Sequence, residues 1–197
     1  MCKHLSNLIL YFFLGTIAWV VLFKFVPVPF TPLMLIRQVE ARSEGCRLEI
    51  QHKWVPIEEI SPELIAAVID EEDARFYEHS GFDWYAIRCA YQRNQRAGKI
   101  VRGGSTISQQ TAKNIFCTPS RTYVRKAFEA YFTILIEFIW GKERIIEVYL
   151  NSIEMGDGVF GAEAAAKHHF HTSAAALDRY EAHYIANSLS NPRLYLK

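Results

Sequence analysis

The chain has 197 residues, half of them hydrophobic, and a formal net charge of only +1. This length accommodates one domain and a short appendage with a substantial apolar core, and it leaves no room for a second catalytic domain. The near-neutral charge carries no bulk signature of nucleic-acid binding, so we expect no nucleic acid among the partners.

The amino-terminal segment from Leu5 to Phe23 is apolar and carries no charge. Its length is about that needed to cross the hydrocarbon core of a bilayer, so it predicts a membrane-spanning anchor within residues 1–25. The alternative is a cleaved secretory signal, but no small-x-small cleavage site precedes Val26, and the apolar run is longer than a typical signal core. The basic residues that flank the segment do not favour a cytoplasmic amino terminus.

Residues 26–60 are predicted to be a linker and membrane-proximal segment, followed by the domain proper at 61–197. Pro27, Pro29 and Pro32 predict a stiff, extended chain. The stretch from Leu33 to Ala41 is apolar enough to lie along a membrane surface. The four cysteines show no paired spacing typical of a metal site, and we interpret them as buried free thiols.

A helix is predicted to begin at Pro62, because Ser61 can cap it, proline suits the first turn and Glu63 supplies an early acid. Projected at 3.6 residues per turn, this helix carries a largely apolar stripe that should face the interior and that includes one carboxylate. The members of the stripe are Ile65, Val68, Ile69, Glu72, Phe76 and His79.

Glu72 is the candidate catalytic residue of this stripe. Burial raises the pKa of a carboxyl group towards the working range of a general acid or base. The adjacent Glu71 and Asp73 point elsewhere and are interpreted as solvated or structural charges. The alternative for Glu72 is a buried ion pair with Arg75 or another base.

The stretch from Gly103 to Asn114 combines two glycines with a helix start. Thr106 and Gln109 have the spacing of a capping box, and the glycines let the backbone turn tightly or approach a ligand closely. A helix amino terminus binds anions, and Gln110 and Lys113 could deliver an amide and a charge to a phosphate held there. The pattern is not a nucleotide P-loop, because the Gly-Lys-Ser/Thr ending is missing. The alternative is a capped loop with a surface lysine.

A second set of basic residues recurs at helical spacing. Arg121, Arg125 and Glu129 are four residues apart, with Lys126 beside them, so a helix would align them on one face. Ordinary surface pairing explains many such faces. Here the helix continues from Ala130 to Trp140 as an almost wholly apolar, and hence buried, segment. A basic cluster at the mouth of a buried helix indicates a lined cleft.

Helical periodicity also marks Trp84 to Tyr91, which Gly98 and a basic loop terminate. Further helices are predicted from Lys142 to Asn151, from Ala162 to Phe170 and from Leu177 to Leu189. No strand of convincing alternation occurs, so we predict a mainly helical fold. Three clustered histidines near residue 170 lack acidic or cysteine partners at ligand spacing, and no metal site is expected there.

Five blocks of residues follow one another in the order of a known family. They are Glu72-Asp73-x-x-Phe76-x-x-His79-x-Gly81-x-Asp83; Gly103-Gly104-Ser105-Thr106-Ile107-Ser108-Gln109-Gln110-x-x-Lys113-Asn114; Arg125-Lys126-x-x-Glu129; Ile146-x-x-Tyr149-Leu150-Asn151; and Gly158 through Gly161 to Ala164-Ala165-Ala166 and Phe170. Together they resemble the glycosyltransferases of peptidoglycan synthesis, family fifty-one, in their monofunctional, membrane-anchored form. The segment from Thr31 to Arg37 also looks like the family's segment after the anchor.

The resemblance implies a lysozyme-like helical domain on the periplasmic or extracellular side of the cytoplasmic (inner) membrane. Its implied activity is polymerisation of lipid II into β-1,4-linked glycan with release of undecaprenyl diphosphate. Glu72 is implied as the base that takes the proton of the acceptor hydroxyl in this inverting transfer. Lys113, Arg121 and Arg125 are implied to stabilise the leaving diphosphate. Glu129 matches the family's second glutamate, and we interpret it as orienting those cations or a divalent ion.

Other residues of the motifs are implied as substrate contacts. They are Asp73, Phe76, His79, Ser105, Thr106, Gln109, Gln110, Asn114 and Lys126. No cofactor is expected to be required, and a divalent cation, Mg²⁺ or Mn²⁺, would be an optional addition. The expected partners are lipid II, the nascent glycan chain, membrane lipid and proteins of cell-wall synthesis or division.

Two other functions were weighed against glycan synthesis. A lytic enzyme of the same fold needs a catalytic acid but no diphosphate site, so the basic residues argue against it. A non-catalytic membrane-anchored subunit would be expected to have lost Glu72 or Glu129, and both are present. A bifunctional penicillin-binding protein is excluded for this chain, because it contains no Ser-x-x-Lys.

Overall fold

The computed structural model describes residues 2–99, 103–120 and 122–195. The helices in chain order are α1 Cys2–Phe25, α2 Pro32–Ser43, α3 Pro62–Asp73, α4 Trp84–Ala97, α5 Ile107–Phe116, α6 Tyr123–Ile139, α7 Lys142–Ser152, α8 Ala162–Phe170, α9 Arg179–Ser188 and α10 Pro192–Tyr195. Two single 3₁₀ turns lie at Ile57–Glu59 and Ala174–Ala176. The predicted mainly helical, lysozyme-like class is confirmed.

A small sheet accompanies the helices. It has the order β1 (Gln51–His52), β3 (Val159–Phe160), β2 (Glu154–Gly156), with β1 parallel and β2 antiparallel to β3. Strands of two or three residues are too short to show an alternating pattern, which is why they were not predicted. Through β1, residues that were predicted to form a linker pair with the domain.

The domain core is built around α5 and α7. Tyr149, Leu150 and Ile146 of α7 are almost fully buried, as is Ile107 of α5. A buried hydrogen bond joins α5 to α6, because the Ser108 hydroxyl donates to Glu137. The Glu137 carboxylate also pairs with Lys142 at 2.7 Å. The Glu137 carboxylate therefore links α6 to both α5 and α7.

Helix α3 begins as predicted and ends earlier. Ser61 caps it through a hydrogen bond from Glu63 N, and Pro62 occupies its first turn. The helix stops at Asp73, and the next residues form turns, with Phe76 N donating to Asp73 O at 2.8 Å. The prediction that Phe76 and His79 continue the helical stripe is therefore wrong.

Among the described residues, α1 is the one helix long and apolar enough to cross a membrane, from Lys3 to Phe25. Most of its surface is exposed, but its carboxyl-terminal half packs on the domain. The ring of Trp19 makes an edge contact with Phe116 of α5, with 5.3 Å between the ring centroids. The indole nitrogen of Trp140 donates to Val20 O at 2.7 Å.

The end of α1 is also fastened to the domain by polar contacts. The Arg144 guanidinium of α7 donates to Phe23 O at 2.9 Å and to Val26 O at 2.8 Å. The Lys24 ammonium donates to Ile139 O at the end of α6 at 2.6 Å. Because these bonds satisfy carbonyls that the helix end leaves free, the anchor has a defined direction relative to the domain.

Candidate active site

Glu72 lies in the last turn of α3 and borders two connected cavities. Its side chain is half-buried at the edge of the predicted stripe, rather than in the core as expected. The Gln110 amide nitrogen donates to Glu72 Oε2 at 2.6 Å. The other carboxylate oxygen, Oε1, has no hydrogen-bond partner among the described residues. One oxygen is thus held in place, and the other is available to accept a proton.

A second hydrogen bond fixes the orientation of the Gln110 side-chain amide. The Tyr149 hydroxyl donates to Gln110 Oε1 at 3.3 Å. Complete burial, followed by the nearby charges of Glu72 and Asp73, raises the pKa of Tyr149 well above its usual value. The phenol therefore stays protonated and directs the amide NH₂ of Gln110 towards Glu72.

Asp73 is buried next to Glu72 and has a structural role. Both of its carboxylate oxygens lie 3.0 Å from His79 Nε2, and Oδ2 accepts a hydrogen bond from Ile107 N at 3.0 Å. This carboxylate joins the turn after α3 to the first turn of α5. It occupies one amide at the amino terminus of α5, so the Ile107 amide is not free for the phosphate predicted near this helix end.

The predicted capping box at the start of α5 is confirmed. Gln109 N donates to Thr106 Oγ1 at 3.1 Å, and Thr106 N donates to Gln109 Oε1 at 3.1 Å. The Thr106 hydroxyl also donates to Gly81 O at 2.7 Å. These bonds use the Thr106 hydroxyl and the Gln109 amide oxygen within the chain, so we assign both residues to the support of the site, although Thr106 also borders the cavity beside α4.

Phe76 and His79 also act as supports. Phe76 has no exposed surface, and the Lys142 ammonium lies 4.4 Å from the centre of its ring. The His79 side chain is only 7% exposed and is bound to Asp73. Neither residue borders a described cavity, so substrate contacts by Phe76 and His79 are not supported.

Ser105 and the adjacent glycines form another part of the cavity lining next to Glu72. Ser105 is exposed and borders both cavities next to Glu72. A Cβ atom added to Gly104 would lie 3.1 Å from Ile87 Cα of α4. Gly104 therefore makes its close approach to a helix of the chain itself, whereas a Cβ atom on Gly103 would meet nothing within 4 Å.

A cluster of unpaired donors lies farther along the cleft, and we call it the cation pocket. It is a cavity of about 310 Å³ whose walls include Leu33, Lys113, Asn114, Cys117 and Arg125. The buried nitrogens Asn114 Nδ2 and Arg125 Nε have no hydrogen-bond partner among the described residues. Buried donors are rarely left unsatisfied, so this pocket fits an acceptor-rich ligand.

Lys113 forms no hydrogen bond or ion pair within the described residues. Burial is the main cause that lowers the pKa of its ammonium, and the charges of Arg125 and Lys126 add to the effect. The charges of Glu129 and Glu72 oppose it. Binding of an anion nearby would stabilise the charged form of such a partly desolvated cation.

Glu129 lies behind this pocket and borders none of the described cavities. It is 3% exposed and forms ion pairs with Arg125 and Lys126. Its two oxygens each accept from one of these cations. This geometry supports the orientation of cations and gives Glu129 no place at the reacting atoms. Arg121, the other predicted diphosphate ligand, lies outside the described residues.

No cluster of three or more histidine, cysteine or acidic side chains that could hold a metal ion occurs in the described part of the chain. With both oxygens of Glu129 engaged by cations, the residues around it do not fit a divalent ion. We therefore derive no step through a metal.

Neighbouring cavities share lining residues along one cleft. A central space of about 650 Å³ is bordered by Glu72, Gln110, Lys113 and Asn114. Glu72 is shared with a space of about 220 Å³ beside α4, and Lys113 and Asn114 are shared with the cation pocket. The carboxylate and the unpaired cation therefore border the same central cavity.

Glu154 is a cleft residue that the sequence analysis missed. It is 5% exposed, borders the central cleft and is bound by Arg37 Nη2 of α2 at 2.9 Å. A hydrogen bond to Glu154 raises the pKa of Arg37, although burial opposes this. The pair holds α2 against the cleft. The only available signal was the family-like segment that ends at Arg37, which says nothing of a partner 117 residues away.

Comparisons with known proteins agree with the motifs. The family model described as Transglycosylase matches residues 40–197. A protein of Pseudomonas fluorescens (strain SBW25) named biosynthetic peptidoglycan transglycosylase is 51% identical over 193 residues, covering 98% of this chain and 80% of that protein. Proteins of the same name from Bacteroides thetaiotaomicron and Caulobacter vibrioides are each 51% identical, covering 96% of this chain and 76% and 82% of those proteins.

Proposed function

This chain belongs to the transglycosylase family, and on that premise we propose that it polymerises lipid II into β-1,4-linked glycan strands with release of undecaprenyl diphosphate. The proposal depends on one observation: Glu72 and Lys113 border the same cleft. Glu72 has one carboxylate oxygen without a hydrogen-bond partner, and Lys113 has an unpaired ammonium. A base and a set of anion ligands along one channel are what inverting transfer from a diphosphate requires.

In the proposed reaction the acceptor sugar hydroxyl lies against Glu72. Its oxygen forms a bond to the anomeric carbon of the donor on the face opposite the diphosphate, and its proton passes to Glu72 Oε1. The Gln110 amide holds Oε2 and keeps Oε1 directed into the cleft. The bond from the anomeric carbon to the diphosphate oxygen breaks, and that oxygen keeps the electron pair.

The cation pocket receives the charge that develops on the diphosphate. Lys113 supplies a partly desolvated ammonium, and Asn114 Nδ2 and Arg125 Nε supply donors that have no other partner in the described structure. Such preorganised groups lower the barrier most when charge appears only in the transition state. We propose that these protein groups suffice without a bound divalent ion, with Glu129 holding Arg125 and Lys126 in position.

We further propose that α1 crosses the cytoplasmic membrane once and that the domain lies on its periplasmic or extracellular face. The length and apolar surface of α1 support a span, and the bonds to its carboxyl-terminal end support a position of the domain close to the membrane. A substrate with a lipid tail would be reached from that position. The geometry supports no particular protein partner.

The direct test uses the full-length protein in detergent with labelled lipid II. Polymeric glycan and undecaprenyl diphosphate should form together in step with loss of substrate. If the protein instead shortens preformed glycan and leaves lipid II intact, the lytic alternative is correct. If neither reaction occurs with folded protein, the chain is a non-catalytic subunit.

A further inference from the structure

The ion pair between Arg37 and Glu154 fastens α2 to β2 beside the cleft. Arg37 Nε donates to Glu154 Oε1 at 3.0 Å, and Arg37 Nη2 donates to Glu154 Oε2 at 2.9 Å, so the fork of the guanidinium meets both carboxylate oxygens. A further contact to Glu40 Oε2 at 2.8 Å holds the guanidinium from its own helix. The Glu154 side chain is only 6% exposed, and water therefore screens the pair little. Among the described residues, Arg37 is the only cation that pairs with Glu154.

The Glu154 carboxylate lies close to the proposed diphosphate site. It borders the central cavity, which Lys113 and Asn114 also border, and these two residues belong to the cation pocket as well. Glu71 is another acid of the central cavity, but it is exposed, so solvent screens its charge. A buried carboxylate is screened far less and, without a counter-charge, would repel a diphosphate that enters the same cleft. Glu154 therefore needs a cation for an anion to bind nearby.

A purely structural role of the pair is the rival explanation. Leu33 precedes Arg37 by four residues, about one turn of helix, and borders both the cation pocket and the central cavity. The start of α2 is held by its cap, in which Met34 N donates to Thr31 Oγ1 at 3.3 Å. The ion pair holds the next turn, so it could serve only to keep Leu33 in the cavity wall. Loss of either partner would then weaken substrate binding alike.

We propose that Arg37 is a positioning residue for diphosphate binding and that it acts by neutralising the Glu154 carboxylate at the edge of the central cavity. This inference rests on the proposed function. Arg37 borders none of the described cavities, so it touches neither the substrate nor the reacting atoms and acts through Glu154. The two partners consequently have opposite effects. Loss of Arg37 leaves a negative charge unpaired in the cleft, whereas loss of the Glu154 charge removes that repulsion.

The first test measures the binding of undecaprenyl diphosphate to full-length protein in detergent. Arg37→Met should raise the Kd at least about tenfold, because the buried carboxylate then has no partner. Glu154→Gln should leave the Kd unchanged or lower it, since the amide is uncharged and can still accept a hydrogen bond from Arg37. Arg42→Met is the matched control and should keep the wild-type Kd, since Arg42 is exposed on the same helix and borders none of the described cavities. Weaker binding in both Arg37→Met and Glu154→Gln overturns the inference.

Two further variants test the inference even if Arg37→Met does not fold. Arg37→Lys keeps the positive charge without the fork and should bind undecaprenyl diphosphate with close to wild-type affinity. The double variant Arg37→Met/Glu154→Gln carries neither buried charge and should also bind well. Thermal unfolding of each variant shows whether it is folded.

The outcomes separate this inference from the proposed function. Weak binding by a folded double variant, or equal Kd values for the wild type and Arg37→Met, overturns the role of Arg37 and leaves the proposed function standing. If the wild type itself binds no undecaprenyl diphosphate, the proposed function is wrong and the inference falls with it.

Discussion

The Gln110 side chain binds only one of the two carboxylate oxygens of Glu72, at 2.6 Å, and leaves the other without a partner in the described structure. The hydrogen bond comes from α5 and the carboxylate from α3, so two helices set the direction of one side chain. A base must be oriented as well as ionised, and this contact supplies the orientation.

Glu72→Gln should reduce the rate of lipid II polymerisation by at least about 100-fold, because it removes the group that accepts the proton while keeping size and polarity. Substrate-analogue binding and thermal unfolding should change little. The matched control is Asp70→Asn, since Asp70 is exposed in the same helix and borders none of the described cavities. A folded Glu72→Gln protein with near-normal turnover would show that Glu72 is a structural acid.

Tyr149→Phe tests the hydrogen bond that orients the Gln110 side chain. Loss of the hydroxyl removes the hydrogen bond to Gln110 Oε1 and leaves the amide free to turn away from Glu72. Loss of a hydrogen bond that contributes about 1 kcal/mol corresponds to a fall of roughly fivefold in kcat, and KM should not change. Steady-state kinetics and thermal unfolding should be measured on the same preparation. A rise in KM without a change in kcat would contradict this positioning role.

Lys113→Ala should cost about 2 to 4 kcal/mol of transition-state stabilisation, as expected for a preorganised electrostatic partner of a leaving anion. Lys167→Ala is the control, because Lys167 is an exposed lysine of α8 that borders none of the described cavities. Both variants should be assayed for kcat/KM and for binding of undecaprenyl diphosphate. Equal activities of the Lys113→Ala and Lys167→Ala variants would show that Lys113 is an ordinary surface charge.

Features that depend on neighbouring residues in the chain were predictable from the sequence. Ser61 starts α3, and Thr106 with Gln109 starts α5, because a helix cap is formed within one turn. The end of α3 was not predictable, since residues 74–79 contain no proline or glycine to mark it. The helix stops where Asp73 turns to bind His79 and α5, which are tertiary contacts.

In the candidate site, too, local features were predictable from the sequence and tertiary contacts were not. Glu72, Lys113 and Asn114 could be selected from the sequence because they belong to recognisable blocks, and the structure brings all three to one cleft. Asp73 could not be assigned its role, because its partner Ile107 is 34 residues away. Glu154 was missed for the same reason, since only the fold brings Arg37 beside it.

Glu163 provides a prediction about stability and pH that is independent of catalysis. Its side chain is buried at the start of α8. Burial alone would raise its pKa, but the hydrogen bond from Ala174 N at 2.8 Å and the ion pairs with Lys53 and Lys167 outweigh it, so the pKa is lowered in the folded state. Folding is therefore favoured by the ionised form.

The stabilisation from Glu163 should be fully present above the unfolded-state pKa of about 4.3 and should be lost as pH falls through the lower folded-state pKa. Glu163→Gln should lower the thermal unfolding temperature at pH 7 and make its decline between about pH 5 and pH 3 shallower than in the wild type. Glu181→Gln, at an exposed cap of α9, controls for the loss of one carboxylate. Melting curves of full-length protein in detergent, recorded across this pH range, measure the effect. Parallel curves for wild type and Glu163→Gln would show that Glu163 contributes nothing to the acid sensitivity of the fold.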